Sequence, residues 1–276
     1  MYDIGKGGIV MFGKGLWVMS HEEPDYNKIN GYTSSPTTYT ISSVSDANTF
    51  CNRFNNASGY KDSSATLHLG DKITIKDGTY NKTWVVAGFD MEHNQVAADG
   101  TTYDNGYGIC LLPIGVVTTS KYYTDGSDTN YYYSYIVSNV HMTVIPTIIS
   151  KLQTVLGSHL VERNVLLSSR IELNGTEVDE DMECVWTKAY GTLLATSYQS
   201  GNISSQTIAN IGEATYALPV FNYTSDYSVY FSTYTTFFFR CMMNGHNVYI
   251  QNGIGVVKYE STGGKSRGIR PMIYIR

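Results

Sequence analysis

The sequence of 276 residues is poor in charged side chains, and this scarcity already narrows its function. Asp, Glu, Lys and Arg make up 16% of the chain, below the roughly 25% that is usual in soluble domains. The net charge of −5 also lacks the basic excess on which nucleic-acid binding depends. We therefore predict no nucleic-acid partner.

Long apolar runs and metal-binding cysteine spacings are missing as well. No stretch approaches the ~18 apolar residues of a membrane-spanning helix, so membrane insertion is not expected. Residues 1–15 have no continuous apolar segment, so no secretory signal is expected. No Cys-x-x-Cys pair occurs, and we interpret the four cysteines as buried free thiols: Cys51, Cys110, Cys184 and Cys241.

Motifs for catalysis are also absent. Gly264-Lys265-Ser266 resembles the end of a phosphate-binding loop, but Tyr259 stands where that loop needs its first glycine. His159 and Glu162 lie three residues apart without a third partner for acid-base or metal chemistry. We therefore predict that the protein is not an enzyme and that His159 is a structural, hydrogen-bonded residue.

No cofactor or metal site is predicted from a defined motif. Calcium is the metal that the oxygen-rich loops would suit best, although the twelve-residue EF-hand pattern is absent. Solvated loops are the simpler interpretation of these residues. The oxygen donors concerned are Asp99, Asp104, Asn105, Asp125, Asp128 and the carboxylates of residues 177–183.

Tyrosine, in contrast, is unusually abundant, with 24 residues amid much Gly, Ser, Thr and Asn. Recognition loops use this combination, because Tyr offers a large amphipathic contact area at low entropic cost. The alternative explanation is that Tyr and Thr both favour β-strands, so many of these residues would serve packing. Exposed members would form either a stacking surface for sugars or a subunit interface.

Periodicity predicts two helices. Residues 45–56 place Ala47, Phe50, Cys51 and Phe54 on one face, with Ser45 as the expected N-cap. Residues 146–156 form the clearest helix, between Pro146 in the first turn and Gly157 at C′. Strands are predicted over residues 72–76, 83–90, 109–117, 131–137, 165–173, 184–194 and 216–221.

The strongest strand pattern lies near the C-terminus. Asn244-Gly245 and Asn252-Gly253 are the dipeptides that two-residue type I′ turns prefer. The runs around them predict an antiparallel meander of strands 236–243, 246–251 and 254–259, followed by a final strand over residues 268–275.

The second half of the chain resembles DUF6273, a bacterial and phage domain family of unknown function. The similar segments occur in the same order: residues 133–135, 156–160, 165–168, Trp186, 218–220, 239–240 and 267–271. Such domains resemble the C-type-lectin-like fold of the formylglycine-generating-enzyme group, whose last strand often carries Gly-Val-Arg-Pro. Here the motif is Gly268-Ile269-Arg270-Pro271.

The resemblance implies a ligand-binding or virion role rather than catalysis. The resemblance implies that catalysis in the enzyme group uses a copper site built on closely placed cysteines near the C-terminus. Cys241 stands alone in this region, so the resemblance does not extend to that activity. The fold class expected is α+β, with a β-rich N-terminal module and a C-type-lectin-like C-terminal domain. The predicted divisions are a Gly-rich attachment arm (1–44), a β-rich module with a short helix (45–117) and the lectin-like domain (118–276).

Together these features predict a bacteriophage virion protein that displays its C-terminal domain to a host-surface glycan or protein. It would be assembled in the host cytoplasm with other virion proteins as a homo-oligomer, with a trimer as the expected form. The alternative is a purely structural capsid-decoration, tail or baseplate subunit. The residues predicted to bind ligand are Tyr230, Tyr234, His246, Tyr249, Gln251, Tyr259 and Lys265.

Overall fold

A computed structural model describes most of the chain in segments. The described residues are 9–12, 15–18, 30–56, 59–60, 67–78, 80–91, 94–96, 100–123, 135–170, 173–174, 177–178, 183–193, 218–222, 236–244, 247–252, 256–261 and 265–276.

Within these residues the helices are α1 (Val44–Phe54) and α2 (Ile145–Leu156). The strands are β1 (Ile9–Phe12), β2 (Gly15–Val18), β3 (Thr38–Ile41), β4 (Asn55–Asn56), β5 (Gly59–Tyr60), β6 (Lys72–Asp77), β7 (Tyr80–Phe89), β8 (Asn94–Val96), β9 (Thr102–Asp104), β10 (Ile109–Pro113), β11 (Thr118–Ser120), β12 (Arg163–Arg170), β13 (Leu173–Asn174), β14 (Glu177–Val178), β15 (Glu183–Ala189), β16 (Gly191–Leu193), β17 (Phe237–Asn244), β18 (Asn247–Asn252), β19 (Val256–Ser261), β20 (Arg267–Ile269) and β21 (Pro271–Ile275).

A six-stranded sheet in the order β16-β21-β10-β7-β6-β3 holds much of the core. Its neighbours are antiparallel except for β3, which runs parallel to β6. Every residue of β7 from Trp84 to Phe89 is buried, as expected for a strand that is covered on both faces. The sheet takes strands from both sides of residue 117, where the sequence analysis placed a domain boundary.

The two helices pack together beside this sheet. Helix α1 contacts β3, and α2 contacts β6, β16 and α1. The buried residues of α1 are those that periodicity predicted, and Tyr39 of β3 meets the rings of Phe50 and Phe54 at centroid distances of 5.3 and 5.6 Å. The predicted α+β class is therefore confirmed.

The start of α1 differs from the prediction by two residues. Ser43, rather than Ser45, caps the helix: its Oγ accepts a bond from the Asp46 amide at 3.1 Å. The Asp46 carboxylate reaches back and accepts bonds from the amide and hydroxyl of Ser42. This arrangement resembles a capping box, except that the carboxylate accepts from the residue before the N-cap. The bonds from Ser42 are the main reason that the pKa of Asp46 is lowered.

A second sheet in the order β11-β20-β17-β18-β19 contains the predicted C-terminal meander. It is joined to the first sheet by an antiparallel ribbon, because β10 pairs with β21 and β11 pairs with β20. Arg270 lies between β20 and β21, where the ribbon passes from one sheet to the other. The predicted final strand is therefore divided between two sheets.

Other predicted strands also differ in their bounds. The predicted strand 184–194 is divided into β15 and β16, which belong to different sheets. Pro113 is the last residue of β10, an inner strand whose pairing with β7 shifts register between Cys110 and Leu111. Pro219–Asn222 form a 3₁₀ turn rather than a strand, and residues 135–138 form a turn.

Helix α2 is preceded by a π-helical turn, Val140–Val144, which contains a half-buried histidine. The ring of His141 lies 5.0 Å from the ring of buried Tyr135, and its Nδ1 has no hydrogen-bond partner among the described residues. Burial lowers the pKa of His141, because the charged imidazolium would lose its hydration there.

This histidine is expected to make stability fall in mild acid. With a folded-state pKa below the ordinary value of about 6.5, the unfolded chain takes up the proton first. The free energy of unfolding should therefore be highest above that pH and decrease as the pH falls toward the lowered pKa. Urea unfolding at several pH values should show this decrease in the wild type and a weaker one in His141→Phe. Identical pH profiles for the two proteins would contradict the assignment.

Among the described residues, no helix combines the length and the apolar character needed to span a membrane.

Candidate functional site

The C-terminal meander is the candidate site, because it carries three of the predicted ligand-binding residues on neighbouring strands. Tyr249 and Gln251 lie on β18, and Tyr259 lies on β19. The register places Tyr249 directly opposite Tyr259. Directly opposite residues of an antiparallel pair share one face of the sheet, so the two tyrosine positions are neighbours.

Burial on β18 defines which face this is. Val248 and Ile250 are 0% and 6% exposed and belong to the core. Since successive residues of a strand alternate between faces, Tyr249 and Gln251 occupy positions on the face opposite to these two. The sequence pattern thus brings Tyr249, Gln251 and Tyr259 together on one side of the meander.

The other predicted site residues are less closely placed. Lys265 is exposed and precedes β20, so a strand follows the phosphate-loop-like tripeptide, as predicted. The remaining three predicted residues lie outside the described part of the chain: Tyr230, Tyr234 and His246.

The connections of the meander differ from the predicted two-residue Asn-Gly turns. Asn244 pairs with Asn247, and Asn252 pairs with Val256, so the connecting residues are 245–246 and 253–255. Each asparagine is therefore the last residue of its strand. The strands observed at 237–244 and 247–252 are thus displaced by one residue from the predicted 236–243 and 246–251.

The motif Gly268-Ile269-Arg270-Pro271 connects the second sheet, which contains the meander, to the main sheet. The Arg270 side chain is buried, and its Nε and Nη2 donate to the carbonyl oxygens of Gly115 and Pro113 at 3.1 and 2.6 Å. Its guanidinium also lies 4.9 Å from the centre of the Phe237 ring. Arg270 thereby ties β17 to the ribbon that joins the two sheets.

His159 is hydrogen-bonded, as predicted. Its Nδ1 lies 2.5 Å from the carbonyl oxygen of Arg276, and its Nε2 lies 2.5 Å from Oδ1 of Asn48. These contacts join the end of α2 to α1 and to the C-terminal residue. Both ring nitrogens are engaged within the protein, which suits a structural role.

The described residues contain no cluster of three or more His, Cys, Asp or Glu side chains that could hold a metal ion. Of the calcium candidates, Asp104 and Asn105 are described: Asp104 accepts a bond from the Gly106 amide, and Asn105 bonds to Asn164. Asp99, Asp125 and Asp128 lie outside the described residues. The calcium hypothesis remains a prediction.

Two of the four cysteines are confirmed as buried free thiols, Cys51 and Cys110. Burial raises the pKa of Cys51 to about 12, so this thiol stays protonated at neutral pH and is a poor nucleophile.

Sequence reasoning missed one aromatic pair that the fold brings together. Tyr103 of β9 stacks on Trp186 of β15, with ring centroids 4.4 Å apart and an angle of 23° between the planes. Trp186 had been singled out only as part of a family resemblance. The sequence around Tyr103 is polar and contains glycines at residues 100 and 106, so no periodic signal marks this residue.

Comparison with protein-family models, curated proteins and solved structures gives no match.

Proposed function

We propose that this chain is a non-enzymatic bacteriophage virion protein that binds a host-surface glycan or protein through its C-terminal meander. The observation that carries the proposal is the juxtaposition of Tyr249, Gln251 and Tyr259 on one face of β18 and β19. Tyrosine is enriched in recognition surfaces, where it provides a large amphipathic contact area.

The way in which the meander is held supports this proposal. Binding surfaces work best on rigid supports, because less conformational entropy is lost when the ligand binds. Here the buried Arg270 and the β10-β21 and β11-β20 pairings fix the second sheet to the main core. Strand β19 is an edge strand of its sheet, a position that would suit a surface presented to a binding partner.

The finer fold assignment is also a proposal. A C-type-lectin-like C-terminal domain would agree with the Gly268–Pro271 motif, which here joins the two sheets next to the terminal strand β21. A homo-oligomer, expected to be a trimer, would multiply weak individual sites through their effective concentration.

Immunogold electron microscopy of purified phage particles, with an antibody to this chain, tests the virion assignment. Label at the tail tip or on fibres would support receptor binding. Absence of label from the particles would overturn the proposal.

Alanine at Tyr249 or Tyr259 should weaken host adsorption by about tenfold each, as expected when an aromatic residue at the centre of an interface is truncated. Particles should assemble normally. Adsorption rates of variant phage measure the effect, and Lys151→Ala, at an exposed position of α2, is the matched control. Normal adsorption by both tyrosine variants would contradict the proposed site.

The second candidate is a structural subunit without a receptor. Exposed apolar side chains favour it: Val137 and Met142 are 52% and 63% exposed at the turn before α2. Exposed apolar groups of this kind mark protein contacts when they form a patch. In that case the tyrosine variants would fail to assemble, and label would be spread over the head or baseplate.

A further inference from the structure

The hairpin of β12 and β15 carries a second aromatic surface that the proposed function does not use. Both rings of the Tyr103–Trp186 stack are half-buried. One face of each ring contacts the other ring, and part of the apolar surface of the pair is still exposed to water. Aromatic rings left partly exposed in this way are common features of ligand-binding surfaces.

Strand register places Trp186 on the face of the hairpin opposite to two buried residues of β12. Val165 and Leu167 of β12 are 4% and 1% exposed and face the core. Leu166, between them, lies on the other face and pairs with Trp186. Two residues further along β15, roughly 7 Å away, the exposed Lys188 shares the face of Trp186.

The position of Tyr103 is fixed by a buried asparagine clamp. Asn105, which is 5% exposed, donates from Nδ2 to the backbone oxygen of Asn164 at 2.9 Å. The Asn164 amide donates to Oδ1 of Asn105 at 2.7 Å, and the Asn164 side chain donates to the same oxygen at 3.2 Å. These bonds hold the segment after β9 against β12. The aromatic pair is therefore in place before any ligand arrives.

We propose that the Tyr103–Trp186 pair and Lys188 form a saccharide-binding site for an acidic pyranose, such as a uronate residue of a polysaccharide. A pyranose ring has an apolar face of C–H bonds that stacks on aromatic rings, and its rim carries oxygens. Lys188 would donate to a hydroxyl or carboxylate oxygen at that rim. Its positive charge selects an acidic sugar over a neutral one.

Isothermal titration of the full chain tests this site with two probes, an oligouronate and a neutral oligoglucoside of equal length. We expect the wild type to bind the oligouronate more tightly than the neutral probe. Lys188→Ala should abolish this preference, and because Lys188 is exposed the variant should fold normally. Trp186→Ala should weaken binding of both probes by tenfold or more.

Val185→Ala is the matched control, since Val185 is the neighbouring residue on β15, is 39% exposed and lies on the opposite face. It should bind both probes like the wild type. Failure of the wild type to bind either probe, or wild-type binding by folded Trp186→Ala, would mean that the aromatic pair serves packing only. An unchanged preference in Lys188→Ala would overturn the assignment of an acidic sugar.

This site is independent of the meander. The Tyr249→Ala and Tyr259→Ala variants should bind the oligouronate normally. The Trp186→Ala variant should leave the structure of the meander unchanged. Loss of adsorption without loss of oligouronate binding would therefore separate the two sites.

Discussion

Replacing Gly268 by alanine is expected to destabilise the protein by about 3 kcal/mol, at the upper end of overpacking effects. A Cβ atom at this position would overlap Cγ1 of Val116 and lie 3.1 Å from both Cβ of Phe237 and the carbonyl oxygen of Thr236. The Gly268 amide also donates to that carbonyl oxygen at 2.8 Å, so the two backbones cannot separate without losing a hydrogen bond. Urea unfolding measures the loss.

Val116, the residue that the new Cβ would overlap, provides a direct check of this mechanism. Val116→Ala removes the γ-carbons that the new Cβ would meet, so the double variant Gly268→Ala/Val116→Ala should recover part of the lost stability. Gly78→Ala is the control, since a Cβ there has open space and the backbone needs no glycine conformation. Equal effects at Gly78 and Gly268 would show that backbone entropy, rather than close approach, sets the cost.

The helices of this fold could be predicted from sequence because their information is local. The spacing of Ala47, Phe50, Cys51 and Phe54 is sufficient to define the buried face of α1. The alternation of β6 is equally local, since Ile73 and Ile75 are both buried. The inward residues of β7 could not be predicted, because this strand is buried on both faces and Trp84, rather than Val85, lies opposite Ile73. The cap was placed two residues late because Ser43 and Ser45 are equally suitable cap residues in isolation.

The division of strands between two sheets could not be predicted in this way. Residues 268–275 form one continuous strand pattern, but Gly268 pairs with Thr119 in one sheet and Ile273 with Leu111 in the other. The change of sheet depends on carbonyl oxygens of Pro113 and Gly115 that receive the Arg270 side chain. Such partners are distant in sequence, and no local periodicity reports them.

The candidate site was predictable only in part for the same physical reason. The alternation around Tyr249 and Tyr259 follows from the meander pattern, so their pairing could be inferred from a correct register. The stack of Tyr103 on Trp186 depends instead on the Asn105–Asn164 clamp between β9 and β12. Nothing in either segment alone specifies that contact.

Replacing Asp71 by alanine should destabilise the protein by about 4 kcal/mol, because two part-buried amides lose their acceptor. Its side chain is 1% exposed, and its two carboxylate oxygens accept bonds from the amides of Thr37 and His68 at 2.7 and 2.8 Å. Alanine would leave both N–H groups without their acceptor in a part-buried place, and each such loss costs roughly 1–3 kcal/mol.

The loss of stability should also be local, because Asp71 holds the segment before α1 against the main sheet. The Lys72 amide donates to the carbonyl oxygen of Thr37 at 2.8 Å, and β3 pairs with β6 just beyond this bond. We therefore expect hydrogen exchange in Asp71→Ala to accelerate first at the amides of Thr37 and of β3. The amides of β7 and β10 should follow only with global unfolding.

Asp46→Ala separates this buried clamp from ordinary capping. Asp46 also accepts a backbone bond, from the Ser42 amide at 2.9 Å, but it is exposed, so water replaces the lost acceptor. Its removal should cost much less than removal of Asp71 and should leave exchange at Thr37 unchanged. If both variants lose the same stability, or if exchange in Asp71→Ala rises uniformly over the main sheet, then Asp71 is not the link that holds β3. The parallel pairing of β3 with β6 would then be sufficient to keep the edge of the sheet in place.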